Sequence, residues 1–212
     1  MTSEQWYWDQ YRRYGNMALA DEVLHPSRIL DERTAVTPLD PWYFYQDCWA
    51  FRRVYETRPE WLLDVGSTAL LVGILSQVVP VTSVDVRPLP VTLPGLTCLA
   101  GTVTALPFED GTVPMASSLS VIEHIGLGRY GDDLDPRGSE KACRELQRVL
   151  RPGGRLLLSF PMADMPETLF NAHRLLLVRQ VKEWLRECKC VGGLEIAAPQ
   201  MRVWCGEYVK RG

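Results

Sequence analysis

From Trp61 onward, short apolar runs are separated by amphipathic stretches, which is the alternation expected of strands and helices around a mostly parallel sheet. Trp61 to Val65 predicts a buried strand, Thr68 to Val79 a helix capped by Ser67 or Thr68, and Val81 to Val86 the next strand, together one β-α-β unit. Leu96 to Ala100 predicts a third strand. Val113 to Leu119 predicts a fourth, entered through the Glu109-Asp110-Gly111 turn, with helical residues following from Val121. Ser139 to Leu150 reads as an amphipathic helix stopped by Arg151-Pro152-Gly153-Gly154, and Arg155 to Phe160 as a strongly apolar fifth strand. Leu175 to Glu187 predicts a further helix. Leu194 to Ala198 and Arg202 to Val209 predict an antiparallel C-terminal edge, separated where Pro199 breaks the chain.

Residues 1–60 have another texture. They hold 12 aromatics, from Trp6 to Tyr55, of a total that comprises 7 Trp, 8 Tyr and 5 Phe. Trp42, Tyr45, Trp49 and Phe51 to Tyr55 recur near helical spacing after a turn at Pro38-Leu39-Asp40-Pro41. The expected organisation is a helical, aromatic-rich cap over residues 1–60 and an α/β domain over residues 61–212.

Composition narrows the function. Hydrophobic residues at 46% and charged residues at 23% describe a globular chain, and a net charge of −3 offers no positive field for gathering phosphates. Nucleic acid is therefore not an expected partner. The longest apolar stretch, Ala69 to Val81, is interrupted by Gly73, Ser76, Gln77 and Pro80 and is too short to span a bilayer. Met1 to Asp9 lacks the basic and apolar order of a secretory signal, so a cytoplasmic location is expected. The 6 cysteines read as reduced thiols, and Cys188 and Cys190 as alternating strand positions rather than zinc ligands.

The first β-α-β unit carries the leading chemical signal. A strand ending Leu63-Asp64-Val65-Gly66 and feeding a helix presents free backbone N–H groups beside a crevice at the sheet's carboxyl edge. Asp85 follows Asp64 at about the 20-residue spacing at which an acidic side chain accepts from ribose hydroxyls, with Val86 and Arg87 beside it. An adenosine-type ligand is expected. After Gly66 come Ser67, Thr68, Ala69 and Leu70, which would crowd a pyrophosphate but not an amino-acid carboxylate. That favours S-adenosylmethionine over a nicotinamide dinucleotide.

The stretch from Leu99 to Pro161 resembles the second half of the class I S-adenosylmethionine-dependent methyltransferases, through "ALPFEDGTV", "SSLSVIEHI" and "RELQRVLRPGGRLLLSFP". "IEHIGLGRYGDDLDPRG" and "LFNAHR" are reminiscent of a poorly characterised bacterial branch, similar to methyltransferase type 11, found among sugar and cell-surface genes. The resemblance implies a Rossmann-like three-layer sandwich that uses S-adenosylmethionine. It implies that Gly66 and Ser67 turn around the methionine end and that Asp85 accepts from ribose. Thr102 and Val103 would neighbour adenine, and Ser118, Leu119 and Ser120 would line the floor. Only Gly66 remains of the family's glycine-rich turn, so the alternative is a non-catalytic Rossmann-like binding or partner protein.

Methyl transfer needs an acceptor aligned with an already activated methyl, and no metal. A small-molecule acceptor is expected, possible sources being sugar or natural-product intermediates. Tyr7, Tyr11 and Tyr14 are candidates for an aromatic lid. A hydroxyl acceptor would need a base: His124 is the first candidate and His173 the second, against a reading in which Glu123 and His124 only shape the loop. His25 reads as a surface turn. The glycine-punctuated loop Gly126 to Asp133 is expected to border the substrate, with Arg129 holding an acidic or phosphate group and Tyr130 stacking. Asp132, Asp133 and Asp135 read as a turn and a helix cap rather than a cation site.

Overall fold

The computed structural model describes residues 1–19, 21–198 and 201–212; Pro199, the expected chain break, lies outside them. The chain divides into two compact units after Asp40. The expected boundary at residue 60 falls beyond the next helix, because that helix packs into the second unit.

The first unit holds α1, Ser3–Gly15, opened by a capping box in which Thr2 and Gln5 satisfy each other's backbone N–H groups. Tyr7, Trp8 and Tyr11 form an aromatic cluster with ring centroids 5.1 to 6.3 Å apart. Tyr11 Oη donates to Leu24 O at 3.2 Å, and Tyr14 Oη donates to Glu22 Oε1 at 2.9 Å. Arg28 pairs with Glu4 at 2.6 Å. No α1 residue is fully buried.

The second unit opens with α2, Pro41–Thr57, whose Pro41 suits the first helical position. Its buried stripe is Gln46, Ala50 and Val54, spaced four apart, while Tyr43, Phe44, Tyr45 and Tyr55 stay exposed. The periodicity of the aromatics therefore marked the helix but not its inward face. Ala50 and Val54 pack in one cluster with Leu62, Met115 and Leu157 of the sheet.

The sheet follows the expected alternation: β1 Leu62–Val65, α3 Ala69–Leu75, β2 Val81–Asp85, β3 Leu96–Ala100 and β4 Val113–Leu119. After β4 comes a single 3₁₀ turn, Ile122–His124, then α4 Gly138–Val149 and β5 Leu150–Met162. The helix predicted to Val79 ends at Leu75 and continues only as turns to Pro80. The predicted stop at Arg151 to Gly154 is absorbed into β5, where Gly153 has φ +75°. A hairpin not foreseen, β6 Glu167–Leu169 and β7 His173–Leu175, turns through Asn171 at φ +61°. Leu175 is thus a strand residue, and α5 begins at Val178 and runs to Trp184.

Strand order is β3-β2-β1-β4-β5-β9-β8, with β8 spanning Cys188–Ala198 and β9 Met201–Lys210. The first five strands are parallel; β9 runs antiparallel to β5 and carries β8 at the outer edge. Both faces are covered, as parallel sheets require. Leu156 and Leu158 of β5 pack with Ala142, Leu146 and Val149 of α4 and Val181 of α5, whereas Leu157 packs opposite with Ala50, Val54 and Leu71. This is the three-layer sandwich expected. The cysteines are free thiols, with Cys188 buried and Cys190 half-buried on β8. Among the described residues, no helix is long and apolar enough to cross a membrane.

Candidate functional site

The chain leaves β1 for β2 on one side of the sheet and reaches β4 on the other, so the carboxyl ends of β1 and β4 flank a topological switch point. A crevice of about 820 Å³ opens there, within the roughly 300–1,000 Å³ of small-ligand sites. Gly66, Asp85, Val86, Arg87, Thr102 and Val103, six of the positions the sequence offers for a cofactor, line it. A second pocket of about 250 Å³ adjoins it. Gly66, Ser120, His124 and Tyr130 line both.

Gly66 is required by geometry. Its φ is +71°, and a Cβ would lie 3.1 and 3.2 Å from the methyls of Val121. Thr68 then caps α3, accepting from Leu71 N at 3.4 Å. Asp85 orders its own loop by accepting the Arg87 N–H on Oδ1 at 2.7 Å. Just after β3, Gly101 passes so near Val84 that a Cβ would sit 2.8 Å from its methyl. Bare backbone at Gly66 and a carboxylate at Asp85 fit a nucleoside with a short zwitterionic tail.

Three expected cofactor residues lie beneath this surface. Asp64 is fully buried, accepting from Ser117 Oγ at 2.6 Å and from Ser67 N at 3.2 Å. Burial raises its carboxyl to about 6, opposed by those hydrogen bonds. It holds the turn from below. Ser118 is buried and donates to Val65 O at 3.1 Å. Leu119 is buried as well; its N–H donates to Ser67 Oγ at 3.2 Å, and it reaches the smaller pocket only.

Ser120 is exceptional, a non-glycine residue at φ +55°. Its N–H donates to Ser159 Oγ at 2.9 Å and its hydroxyl to Gln46 Oε1 at 2.7 Å; Ser159 Oγ donates to the same Gln46 oxygen at 2.5 Å. Gln46, fully buried on α2, thus pins a strained residue between the two pockets. Sequence reasoning missed it. Its one signal is a polar residue on the same stripe as Ala50 and Val54.

The smaller pocket collects the expected catalytic and substrate residues of this unit: His124, His173, Arg129 and Tyr130, with Glu123 and Trp42. His124 Nδ1 lies 2.6 Å from Ala172 O, which can only accept, so the proton sits on Nδ1 and the Nε2 lone pair is free. Arg129 donates to the same carbonyl at 3.1 Å; its 3.3 Å approach to Nδ1 is then a donor–donor contact, not a hydrogen bond. Burial, with a smaller contribution from Arg129, depresses the His124 imidazolium. Burial and then Arg129 depress that of His173. Glu123 is nearly inaccessible, and burial raises its carboxyl to about 8.

Tyr130 carries Arg87 over its ring at 4.3 Å, stitching the end of β2 to the 126–133 loop. Asp132 has its carboxylate spent on the Gly126 N–H at 2.6 Å and the Tyr130 N–H at 3.3 Å. Burial pushes it up, but backbone donors outweigh that and hold it low. Asp135 pairs with Lys141 at 2.6 Å and accepts the Arg137 N–H at 2.9 Å. The acidic loop is a folded turn, and Asp133 is exposed on the crevice wall. Arg174, also missed, is buried and donates to Ile125 O at 2.5 Å and Asp135 O at 3.0 Å, clamping both ends of that loop. Both pockets are built from the second unit. Tyr7, Tyr11 and Tyr14 belong to the first.

The strand order and three layers are those of the class I S-adenosylmethionine-dependent methyltransferase fold. Residues 108–180, about a third of the chain, match the model of a family described as a Caenorhabditis protein of unknown function, DUF268. Over 72 residues, 34% of this chain, it is 36% identical to an uncharacterized 37.1 kDa protein in transposon TN4556 of Streptomyces fradiae. That match spans only 18% of the Streptomyces protein. Among solved structures it is similar to the Burkholderia thailandensis 1,6-didemethyltoxoflavin-N1-methyltransferase holding S-adenosylhomocysteine, with TM-score 0.58, 16% identity and coverage of 87% of this chain and 99% of that one. It is also similar to the N-methyltransferase NodS of Bradyrhizobium japonicum with S-adenosylhomocysteine, with TM-score 0.61, 13% identity and coverage of 82% and 89%.

Proposed function

We propose that this chain is an S-adenosylmethionine-dependent methyltransferase acting on a small-molecule acceptor. The observation that carries the reading is the joining of two pockets at Gly66, Ser120 and His124, one shaped for a nucleoside and one lined by titratable side chains. When bound, S-adenosylmethionine supplies a methyl group already activated on a positively charged sulfur. Asp85 would accept from the ribose hydroxyls, Thr102 and Val103 would flank the adenine, and Gly66 with Ser67 would cradle the amino-acid tail. His124 holds its lone pair on Nε2 and is suited to take a proton from an acceptor hydroxyl.

Calorimetry with S-adenosylmethionine, S-adenosylhomocysteine and NADH tests this. Heat with the first two and none with NADH is the expected outcome; no heat with any of them would support the non-catalytic reading. Asp85→Ala removes a carboxylate hydrogen-bonding pair and should weaken S-adenosylhomocysteine on the order of a hundredfold.

A further inference from the structure

Glu123 stands out among the buried polar groups. It lies on the wall of the smaller pocket, is about 1% exposed, and its Oε2 has no hydrogen-bond partner. A buried polar atom left unpaired is costly, a cost expected where the missing partner is a ligand. Its other oxygen, Oε1, lies 3.8 Å from His124 Nε2, too far for a direct hydrogen bond. The Nδ1 proton of His124 is committed to Ala172 O, so Nε2 can only accept. A lone-pair acceptor thus stands beside a carboxyl group, at a separation that two hydrogen bonds to one hydroxyl can span. Arg129 completes the pocket: among the described residues its guanidinium donates to Ala172 O and lies 5.4 Å from the centre of the Tyr130 ring, with no carboxylate in ion-pairing distance.

We propose that Glu123 is an acceptor-binding residue: it hydrogen-bonds a hydroxyl group whose proton faces His124 Nε2, on a substrate that presents its anionic group to Arg129. The acceptor class is therefore a hydroxylated carboxylate or phosphate, and the ring of Tyr130 and the indole of Trp42 on the same pocket suit one with a flat apolar body. This rests on the methyltransferase reading and adds the identity of the accepting atom, an oxygen.

The test uses the full chain saturated with S-adenosylhomocysteine and two probes that differ only in the hydroxyl, 4-hydroxybenzoate and benzoate. The expected result is at least tenfold tighter binding of 4-hydroxybenzoate, erased in Glu123→Leu, while S-adenosylhomocysteine affinity is unchanged and the melting temperature of the variant is equal or higher. Equal affinities in the parent, a hydroxyl preference that survives in Glu123→Leu, or binding of neither probe would each overturn the proposal. Should Glu123→Leu not fold, ¹³C carboxyl spectra of the parent decide: the Glu123 signal, assigned by its loss in Glu123→Gln, moves with 4-hydroxybenzoate and not with benzoate. A signal unmoved by both, or moved equally, overturns the assignment. Failure to bind S-adenosylhomocysteine at all would instead remove the methyltransferase reading, so the two failures are distinct.

Discussion

At the scale of single residues, the site is governed by where protons rest. His124 is held neutral by burial and fixed in one tautomer by Ala172 O. His124→Ala should leave S-adenosylhomocysteine affinity within about twofold while slowing turnover by on the order of a hundredfold, read as kcat in a methyl-transfer assay. Glu123 supplies a pH signature. Its folded carboxyl titrates near 8 against an ordinary value of 4.5, so the folded chain holds an extra proton between those values. Stability must then fall as pH rises from about 5 to 8 and level off above. The melting temperature should decline over that window, and less steeply in Glu123→Gln; parallel curves would show that the group titrates normally. Gly66→Ala forces a side chain into left-handed backbone against the Val121 methyls, and should cost about 1–3 kcal/mol by urea unfolding as well as donor binding.

At the scale of elements, α2 and β5 contribute most to the arrangement of the site. Gln46 is the helix residue that reaches through the α2 layer to Ser120 and Ser159. Replacing it with Leu leaves the buried Ser159 hydroxyl and the half-buried Ser120 hydroxyl without their shared acceptor and releases the strained Ser120. The expected cost is about 2–3 kcal/mol, with weaker binding in the adjoining pockets; an unchanged urea midpoint would show that the network is dispensable. Such elements were readable from pattern where the pattern is simple. The boundaries of β3 and β4 were predicted to the residue, because each is an apolar run closed by polar or turn-forming residues. The aromatic spacing marked α2 as a helix but left its inward face open, because such spacing recurs whichever stripe turns inward. The β6–β7 hairpin escaped because its strands are three residues long, β6 is exposed and the buried residue of β7 is the polar Arg174, leaving no apolar alternation to detect.

At the scale of the whole molecule, the division after Asp40 leads to a deletion experiment. α1 buries none of its residues fully, and its capping box and ion pair lie within the first unit. Removing residues 1–40 should leave one cooperative transition with a midpoint within about 4 °C of the parent, equivalent to about 1 kcal/mol for a chain of this size, measured by calorimetry. A larger loss would make the first unit part of the folding core. The sequence by itself determined the order of the main-sheet strands, the parallel character of that sheet, Gly66 at its turn and Asp85 at its strand end. Those follow from hydrophobic period, backbone stereochemistry and local spacing, all of which act over a few residues. Only the tertiary structure decided which of the expected residues reach the crevice. It put Asp64 and Ser118 under the floor, brought Gln46 to Ser120 across 74 positions, and set Ala172 against His124 across 48. Burial and hydrogen-bond partnership are properties of chain crossings, and no local pattern encodes which distant carbonyl will fix an imidazole or which buried carboxyl will be left without a partner.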